Sequence, residues 1–156
     1  MKKIELEVIQ NIDKAFFSIS KPHHFTDYNH CEECLEHDDT LRNTTREKIT
    51  RKELGNAGWD PLCFSTAEGI AYYLPALARM CMLPETKESY WYGGQLAFHL
   101  SYDDEENRLF LYCNPEQKEA IVKLLRYILD AKQATLVNYA EVEEFENVYR
   151  LWSKNH

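Results

Sequence analysis

The sequence predicts a mainly α fold, a single globular domain over residues 1–156 with about five to six helices. Apolar residues recur at helical spacing, helix-start signals precede several apolar segments, and no linker-like stretch divides the chain. With 44% hydrophobic and 28% charged residues, the chain has enough apolar side chains to bury a core of its own. Neither a disulfide framework nor a metal ion is needed for it to fold.

Spacing and a cap signal predict the first two helices. A helix is expected from about Lys2 to Phe17, because apolar residues recur there every four positions, at Ile4, Val8, Ile12 and Phe16. A second helix is expected to end near Asn43, with Asn29 as its N-cap and Glu32 as the capping-box partner. A short helical turn is expected between Thr50 and Glu53.

The clearest helix start in the first half of the chain is the capping-box pattern from Ser65 to Glu68. The helix that follows is apolar on most sides and is expected to reach about Leu83 as the central buried element. Pro75 lies inside this helix, where it removes a backbone hydrogen bond, so a kink is expected near Tyr72.

Two further helices are predicted at the end of the chain. The first begins at Asn114-Pro115-Glu116-Gln117, which supplies an N-cap, a proline at the first helical position and a glutamine at the third. Asn138 and Glu141 are expected to cap the last helix, whose apolar stripe includes Val142, Phe145 and Trp152.

The stretch from Ser89 to Cys113 is ambiguous. Apolar residues alternate as in a strand, at Leu96, Phe98, Leu100 and Tyr102, and a polar turn follows them. A small β-hairpin near residues 95–113 is therefore one expectation. Leu96 and Leu100 also suit a helix, which stays open as the alternative.

Charge and apolar content disfavour two kinds of partner. The net charge is −8, from 26 acidic and 18 basic residues, so binding to nucleic acid or to an anionic membrane surface is not expected. Glu5 and Glu7 interrupt the apolar start, so no signal peptide is expected, and no apolar run has the length of a membrane span. A cytoplasmic protein is expected, in which the five cysteines are thiols or metal ligands.

The run from His30 to Asp38 contains two histidines and a CxxC pair within nine positions. On a helix, His30, Cys31, Cys34 and His37 share one face, but the two histidines are seven positions apart, about 10 Å along the axis. Zinc bound by Cys31, Cys34 and one of the two histidines, His30 or His37, is therefore one hypothesis. The fourth ligand would come from His23, His24, Cys63, Cys81, His99 or Cys113.

The same run is less favourable for redox chemistry. A helix N-terminus would lower the pKa of Cys31, but Glu32, Glu33 and Glu36 are expected to disfavour a thiolate by like-charge repulsion. The polar segment before the run lacks the buried strand that precedes a thioredoxin-type CxxC.

No recognisable catalytic motif occurs, so the leading hypothesis is a non-enzymatic, acidic domain that binds an unidentified protein, with self-association left open. Tyr90, Trp91 and Tyr92 are the candidate exposed anchor, although packing in the core is an equal alternative. Beside the zinc-binding alternative, which implies zinc as the cofactor, an enzyme with a cleft at the Pro75 kink is the third hypothesis.

Three segments together resemble an uncharacterised family of small bacterial proteins classed as a domain of unknown function. These are Cys31-Glu32-Glu33-Cys34, the Trp59 turn leading to Tyr72-Tyr73-Leu74-Pro75-Ala76, and the helix start at Asn114-Pro115-Glu116-Gln117. The similarity extends from about Cys31 to Leu129. It implies a bacterial, cytoplasmic protein and provides no catalytic residues to carry over.

Overall fold

Nine α-helices and two short 3₁₀ turns make up most of residues 2–154, the part of the chain that the computed structural model describes. The α-helices are α1 (Lys3–Phe16), α2 (Glu32–Arg42), α3 (Arg51–Leu54), α4 (Ala67–Met82), α5 (Gly93–Ser101), α6 (Arg108–Tyr112), α7 (Pro115–Ala131), α8 (Gln133–Asn138) and α9 (Val142–Trp152). The 3₁₀ turns are Pro61–Phe64 and Asp104–Glu106. The mainly α prediction is confirmed, but the expectation of five to six helices is wrong, since α6 and α8 were not anticipated and α5 was only the alternative to a hairpin.

The centre of the domain is formed by α1, α4 and α7. Helix α1 packs against both α4 and α7, and α9 covers α7 from another side. Along α4 the buried residues lie on nearly every side and include Tyr73, Leu74, Pro75 and Leu77. The helix runs through Pro75 to Met82 without interruption. The prediction that this segment is a central buried helix agrees with its position.

The β-hairpin expected at residues 95–113 is wrong, because no strand forms within residues 2–154 and this stretch forms α5 and α6. The buried residues of α5 include Leu96, Leu100, Gln95 and His99, which follow a helical rather than an alternating period. Phe98 and Tyr102, which completed the alternating pattern, are 45% and 56% exposed, with ring centroids 5.3 Å apart. These two exposed aromatic residues produced the misleading strand pattern.

Helix starts agree with the sequence signals to within two residues, except at α9: its N-cap is Glu141, whereas Asn138, also expected as a cap, ends α8. At α7 the capping box is complete, because Asn114 accepts from the Gln117 backbone N–H and Gln117 accepts from the Asn114 backbone N–H. At α4 the N-cap is Thr66 rather than Ser65, and at α2 it is Cys31 rather than Asn29. The N-cap of α2 matters for function, because it places the Cys31 thiol at the helix N-terminus.

The segment before α2 is attached to that helix by one buried carboxylate. Asp38 Oδ1 accepts hydrogen bonds from the backbone N–H groups of Phe25, at 2.6 Å, and Thr26, at 3.2 Å. In return, the Thr26 hydroxyl donates to the Cys34 carbonyl at 2.7 Å. These bonds fix the loop that leads to His30 against the helix that carries Cys34.

Among the described helices, none combines the length and the apolar content required to cross a membrane.

Candidate metal centre at the start of the second helix

Two thiols meet at the N-terminus of α2. Cys31 is the N-cap, in extended backbone conformation, and the backbone N–H of Cys34 donates a hydrogen bond to its Sγ at 3.4 Å. The two Sγ atoms are 3.3 Å apart. Cys31 is exposed, whereas Cys34 is buried. The CxxC motif is thus a single dithiol with one sulfur open to solvent and the other packed against protein.

His30 places a third side chain that could bind a metal ion beside this dithiol. Its Nδ1 lies 3.7 Å from Cys34 Sγ, and its backbone N–H donates to the Asp27 carbonyl at 2.9 Å. One ligand atom from each of His30, Cys31 and Cys34 lies within 4.8 Å of the other two. Within residues 2–154, no fourth histidine, cysteine, aspartate or glutamate belongs to this cluster. Three side chains that could bind a metal ion therefore lie together at one helix end.

Local hydrogen bonds control the protonation of the cluster. The backbone N–H of Cys34, the His30 side chain and the Cys34 thiol, in that order, lower the pKa of Cys31 to about 7. The hydrogen bond to Cys31 and then burial raise the pKa of Cys34. The Cys31 sulfur also raises the pKa of His30. These shifts favour a Cys31 thiolate beside a protonated His30, so the sulfur that faces solvent is the one that ionises first.

The acidic side chains around the dithiol do not have the effect on Cys31 that the sequence suggested. They were expected to raise its pKa, but its pKa is lowered. Glu32 and Glu36 are exposed, and charge interactions through water are weak. The Cys34 N–H, by contrast, contacts the Cys31 sulfur directly. The position of Cys31 at the N-cap outweighs the charge of the residues that follow it.

His37, the other histidine proposed as a ligand, is not part of the cluster. Its ring is buried, with centroids 4.5 Å from Trp59 and 4.9 Å from Phe64. Its Nε2 lies 3.5 Å from Glu33 Oε1. The chain therefore brings His30 to the two thiols and uses His37 in the contact between α2 and the Pro61–Phe64 turn.

The other residues considered as a fourth ligand lie elsewhere. His24 Nδ1 is 2.7 Å from Asp38 Oδ2, and its ring stacks on Tyr28 at a centroid distance of 4.0 Å. Cys81 and Cys113 are buried in the hydrophobic core. Cys63 and His99 belong to a separate cluster with Asp60.

Comparison with known families gives one match. The sequence model of a family of unknown function, DUF6714, matches residues 4–156. The chain belongs to this family. Neither the curated proteins nor the solved structures contain a significant match to it. Membership in DUF6714 thus confirms the family resemblance and provides no activity, so the function of this chain has to be argued from its own residues.

The aromatic segment of this DUF6714 chain is mostly core. Trp91 and Tyr92 are 5% and 1% exposed, and the Trp91 indole N–H donates to the Cys81 carbonyl at 2.9 Å. Tyr90 is 76% exposed. Of the three residues proposed as an exposed anchor, only Tyr90 is exposed, because Trp91 and Tyr92 fill the interior. Binding of a partner protein through Tyr90 stays a prediction.

The region around Pro75, where the enzyme hypothesis expected a cleft, is packed core. Tyr72 and Tyr73 are 5% and 0% exposed, and Pro75 is buried beside them. A cleft of about 1200 Å³ lies elsewhere, between residues 55–58 and residues 85–91. The enzyme hypothesis therefore has no support at the position where it was expected to apply.

A second cluster was missed by the sequence analysis. Asp60, Cys63 and His99 come together beside this cleft, with one ligand atom from each within 4.8 Å of the others. Burial and then the charge of Asp60 raise the pKa of the Cys63 thiol to about 11. Gln95 and His99, four residues apart in a helix, gave a weak signal for a polar pair on one face. The expected hairpin would have separated them.

Proposed function

We propose that this DUF6714 chain binds a divalent metal ion of the zinc class through His30 Nδ1, Cys31 Sγ and Cys34 Sγ. The spacing of these atoms is the observation that carries the proposal. Zn–S and Zn–N bonds of about 2.3 and 2.0 Å at tetrahedral angles place two sulfurs about 3.8 Å apart and a sulfur and a nitrogen about 3.5 Å apart. The corresponding separations here are 3.3 Å and 3.7 Å, so only small side-chain movements are needed to hold the ion.

The coordination that this arrangement offers is open. Three protein ligands leave the fourth position of a tetrahedral ion to water or to another group, as in catalytic rather than closed structural zinc sites. An open, exposed site is suited to an ion that exchanges or that contacts a further ligand.

The ion would add function to a domain that already folds without it. The hydrophobic core runs through α1, α4, α7 and α9 and does not depend on the dithiol. The site also requires reduced thiols, which fits the expectation of a cytoplasmic, bacterial protein. We therefore expect the metal-free protein to keep its helical content.

Metal analysis of the purified protein tests the proposal. After loading with zinc under reducing conditions, the Cys31→Ser, Cys34→Ser double variant should bind about one ion fewer per chain than the unmodified protein. Glu36→Gln, a change at an exposed position on the same helix, is the matched control and should keep the full amount. An unchanged zinc content in the double variant would contradict the proposal.

Thiol–disulfide exchange is a second candidate function, and the pairing of an exposed thiol with a buried one at 3.3 Å supports it. A Cys31 thiolate would attack one sulfur of a substrate disulfide, forming a mixed disulfide and releasing one substrate thiol. Cys34, after losing its proton, would then attack Cys31 Sγ and release the second thiol. The two electrons pass to the substrate, and the protein keeps a Cys31–Cys34 disulfide.

Titration with oxidised glutathione separates the two candidates. A redox dithiol should form the internal disulfide without retaining glutathione, and a Cys34→Ser variant should retain it at Cys31. A metal site should instead be protected from this oxidation when zinc is bound. Lack of any Cys31–Cys34 disulfide at oxidising glutathione ratios would exclude the redox candidate and leave the metal proposal intact.

A further inference from the structure

The second cluster lies where the Pro61–Phe64 turn meets α5. Asp60 accepts three hydrogen bonds there: from the Leu62 backbone N–H at 2.9 Å, from Gln95 Nε2 at 3.0 Å and from His99 Nε2 at 2.8 Å. Asp60 and His99 are each 3% exposed. Because a carboxylate accepts and does not donate, His99 Nε2 carries the proton in this arrangement. The imidazole is therefore held in a defined orientation by a buried carboxylate.

The other ring nitrogen of His99 has no partner. Its Nδ1 is buried and makes no hydrogen bond to any residue that the structure describes. With the proton on Nε2, this atom presents a lone pair. The two ring nitrogens of an imidazole point away from each other, so Nδ1 does not face Asp60 and can take up the ring proton if Nε2 binds an ion.

The cluster also has access to solvent on one side. Asp60, Cys63 and Gln95 line the cleft of about 1200 Å³, whereas His99 does not. Cys63 is only partly buried. A small ion could therefore reach the cluster through the cleft, and any position that the protein leaves open would face the cleft.

Charge balance favours a divalent cation over a neutral ligand. Asp60 already places one negative charge at a site that is 3% exposed. Ligation by the Cys63 thiolate would add a second, and a divalent ion would neutralise both. A buried pair of negative charges without such an ion would be strongly unfavourable.

We propose that Asp60, Cys63 and His99 Nε2 bind a second divalent ion of the zinc class at the side of the cleft. One ligand atom from each residue lies within 4.8 Å of the others, and a carboxylate, a thiolate and an imidazole are all zinc ligands. The fourth position faces the cleft, where water or a small molecule with an oxygen donor can occupy it. This inference does not depend on the site at His30, Cys31 and Cys34.

The experiment uses the Cys31→Ser, Cys34→Ser background, in which the first site is removed. Loaded with Co²⁺ in place of zinc, this protein should bind about one ion per chain and show thiolate-to-metal charge-transfer absorption. Adding Cys63→Ser should abolish both the ion and the absorption. Adding Cys113→Ser instead, at a cysteine buried in the core, is the matched control and should change neither.

The outcomes distinguish the two sites. Unmodified protein should bind about two ions and the double variant about one. A double variant without any ion, beside unmodified protein with one, overturns the second site and leaves the first intact. An ion in the double variant that survives Cys63→Ser also overturns it, and the cluster is then a hydrogen-bonded structural contact only.

Thermal unfolding provides a readout that does not depend on counting ions. A ligand that binds the folded state raises the unfolding midpoint, so zinc should raise it in the double variant. Cys63→Ser should remove that rise while leaving the metal-free midpoint and the helical circular dichroism nearly unchanged. A zinc-induced rise of the same size in both proteins would contradict the assignment of Cys63 as a ligand.

Discussion

The backbone N–H of Cys34 donates a hydrogen bond to Cys31 Sγ across 3.4 Å, so the first cysteine of the CxxC caps the helix that contains the second. Helix N-termini stabilise negative charge, because their first N–H groups have no partner within the helix. The cap therefore holds the exposed sulfur in place and favours its ionised form, the form that binds metal and attacks disulfides. Both candidate functions start from this contact.

The first prediction concerns the reactivity of Cys31 in metal-free, reduced protein. Alkylation by iodoacetamide requires the thiolate, and the pKa of Cys31 is lowered to about 7. The rate should therefore rise through a midpoint near that pH and level off above it. His30→Ala removes one of the groups that lower this pKa, so the midpoint should move up toward the ordinary thiol value of about 8.5.

Mass spectrometry of the alkylated protein at a series of pH values measures this midpoint. Cys34, whose pKa is raised, should react only at higher pH and serves as the internal comparison. A midpoint at the ordinary thiol value, unaffected by His30→Ala, would show that the cap and the histidine do not stabilise the Cys31 thiolate.

The second prediction concerns Asp38, which attaches the preceding loop to α2. Asp38→Ala leaves the backbone N–H groups of Phe25 and Thr26 without their acceptor. The free energy of unfolding near neutral pH should fall by about 2–4 kcal/mol, the cost of two unsatisfied buried donors. Asp39→Ala, at the exposed neighbouring position, should change it by less than about 0.5 kcal/mol. Urea unfolding of the three proteins measures both.

The effect of Asp38 should also depend on pH. Burial opposes its ionisation, but hydrogen bonds from His24, Phe25 and Thr26 outweigh burial and lower its pKa. A lowered folded-state pKa stabilises the protein above the ordinary carboxyl value, and that contribution is lost as the pH falls through the folded value. The difference between unmodified protein and Asp38→Ala should therefore shrink in acid. A difference that grows on acidification would contradict the assignment.

The third prediction uses two adjacent glycines at the start of α5. A Cβ at Gly93 would overlap the Trp91 indole, whereas a Cβ at Gly94 would meet the flexible end of Glu141 at 3.2 Å. Gly93→Ala should therefore lower the free energy of unfolding by about 1–3 kcal/mol, because Trp91 has to move. Gly94→Ala should be nearly neutral or slightly stabilising.

Urea unfolding and tryptophan fluorescence of both glycine variants provide the measurement. Only Gly93→Ala should alter the emission of the native protein, since Trp91 is the side chain in contact. Equal destabilisation by both substitutions would show that Trp91 is not packed on Gly93.

The fourth prediction separates the exposed and buried members of the aromatic segment. Trp91→Ala removes a buried indole and its hydrogen bond to the Cys81 carbonyl, and should cost about 3–5 kcal/mol. Tyr90→Ala removes a side chain that is 76% exposed and should cost less than about 0.5 kcal/mol. If Tyr90 anchors a partner protein, its substitution should reduce capture of that partner while the midpoint of the unfolding transition stays unchanged.

Local sequence signals predicted the long helices well. The spacing in α1 and the complete capping box at Asn114 identify elements whose burial follows their own periodicity. Local signals failed at α5, where Phe98 and Tyr102 suggested a strand because they are apolar, although they are exposed. An apolar residue on the surface is common, and the sequence does not mark which apolar residues will be buried.

The candidate sites show the same limit. The CxxC and its flanking histidines were visible as a motif, and helix geometry allowed only one histidine per ion. The choice of His30 depends on where α2 begins and on the burial of His37 between Trp59 and Phe64. The second cluster joins Asp60 to His99 across the fold, and no local pattern links residues so far apart in the chain.

X-ray absorption at the zinc edge tests whether His30, Cys31 and Cys34 hold the ion. The sample is Cys63→Ser protein, loaded with a single equivalent of zinc, so that only the site at α2 holds the ion. We expect two sulfur scatterers at about 2.3 Å and at least one imidazole nitrogen at about 2.0 Å. A first shell of nitrogen and oxygen alone, without sulfur, would contradict this expectation.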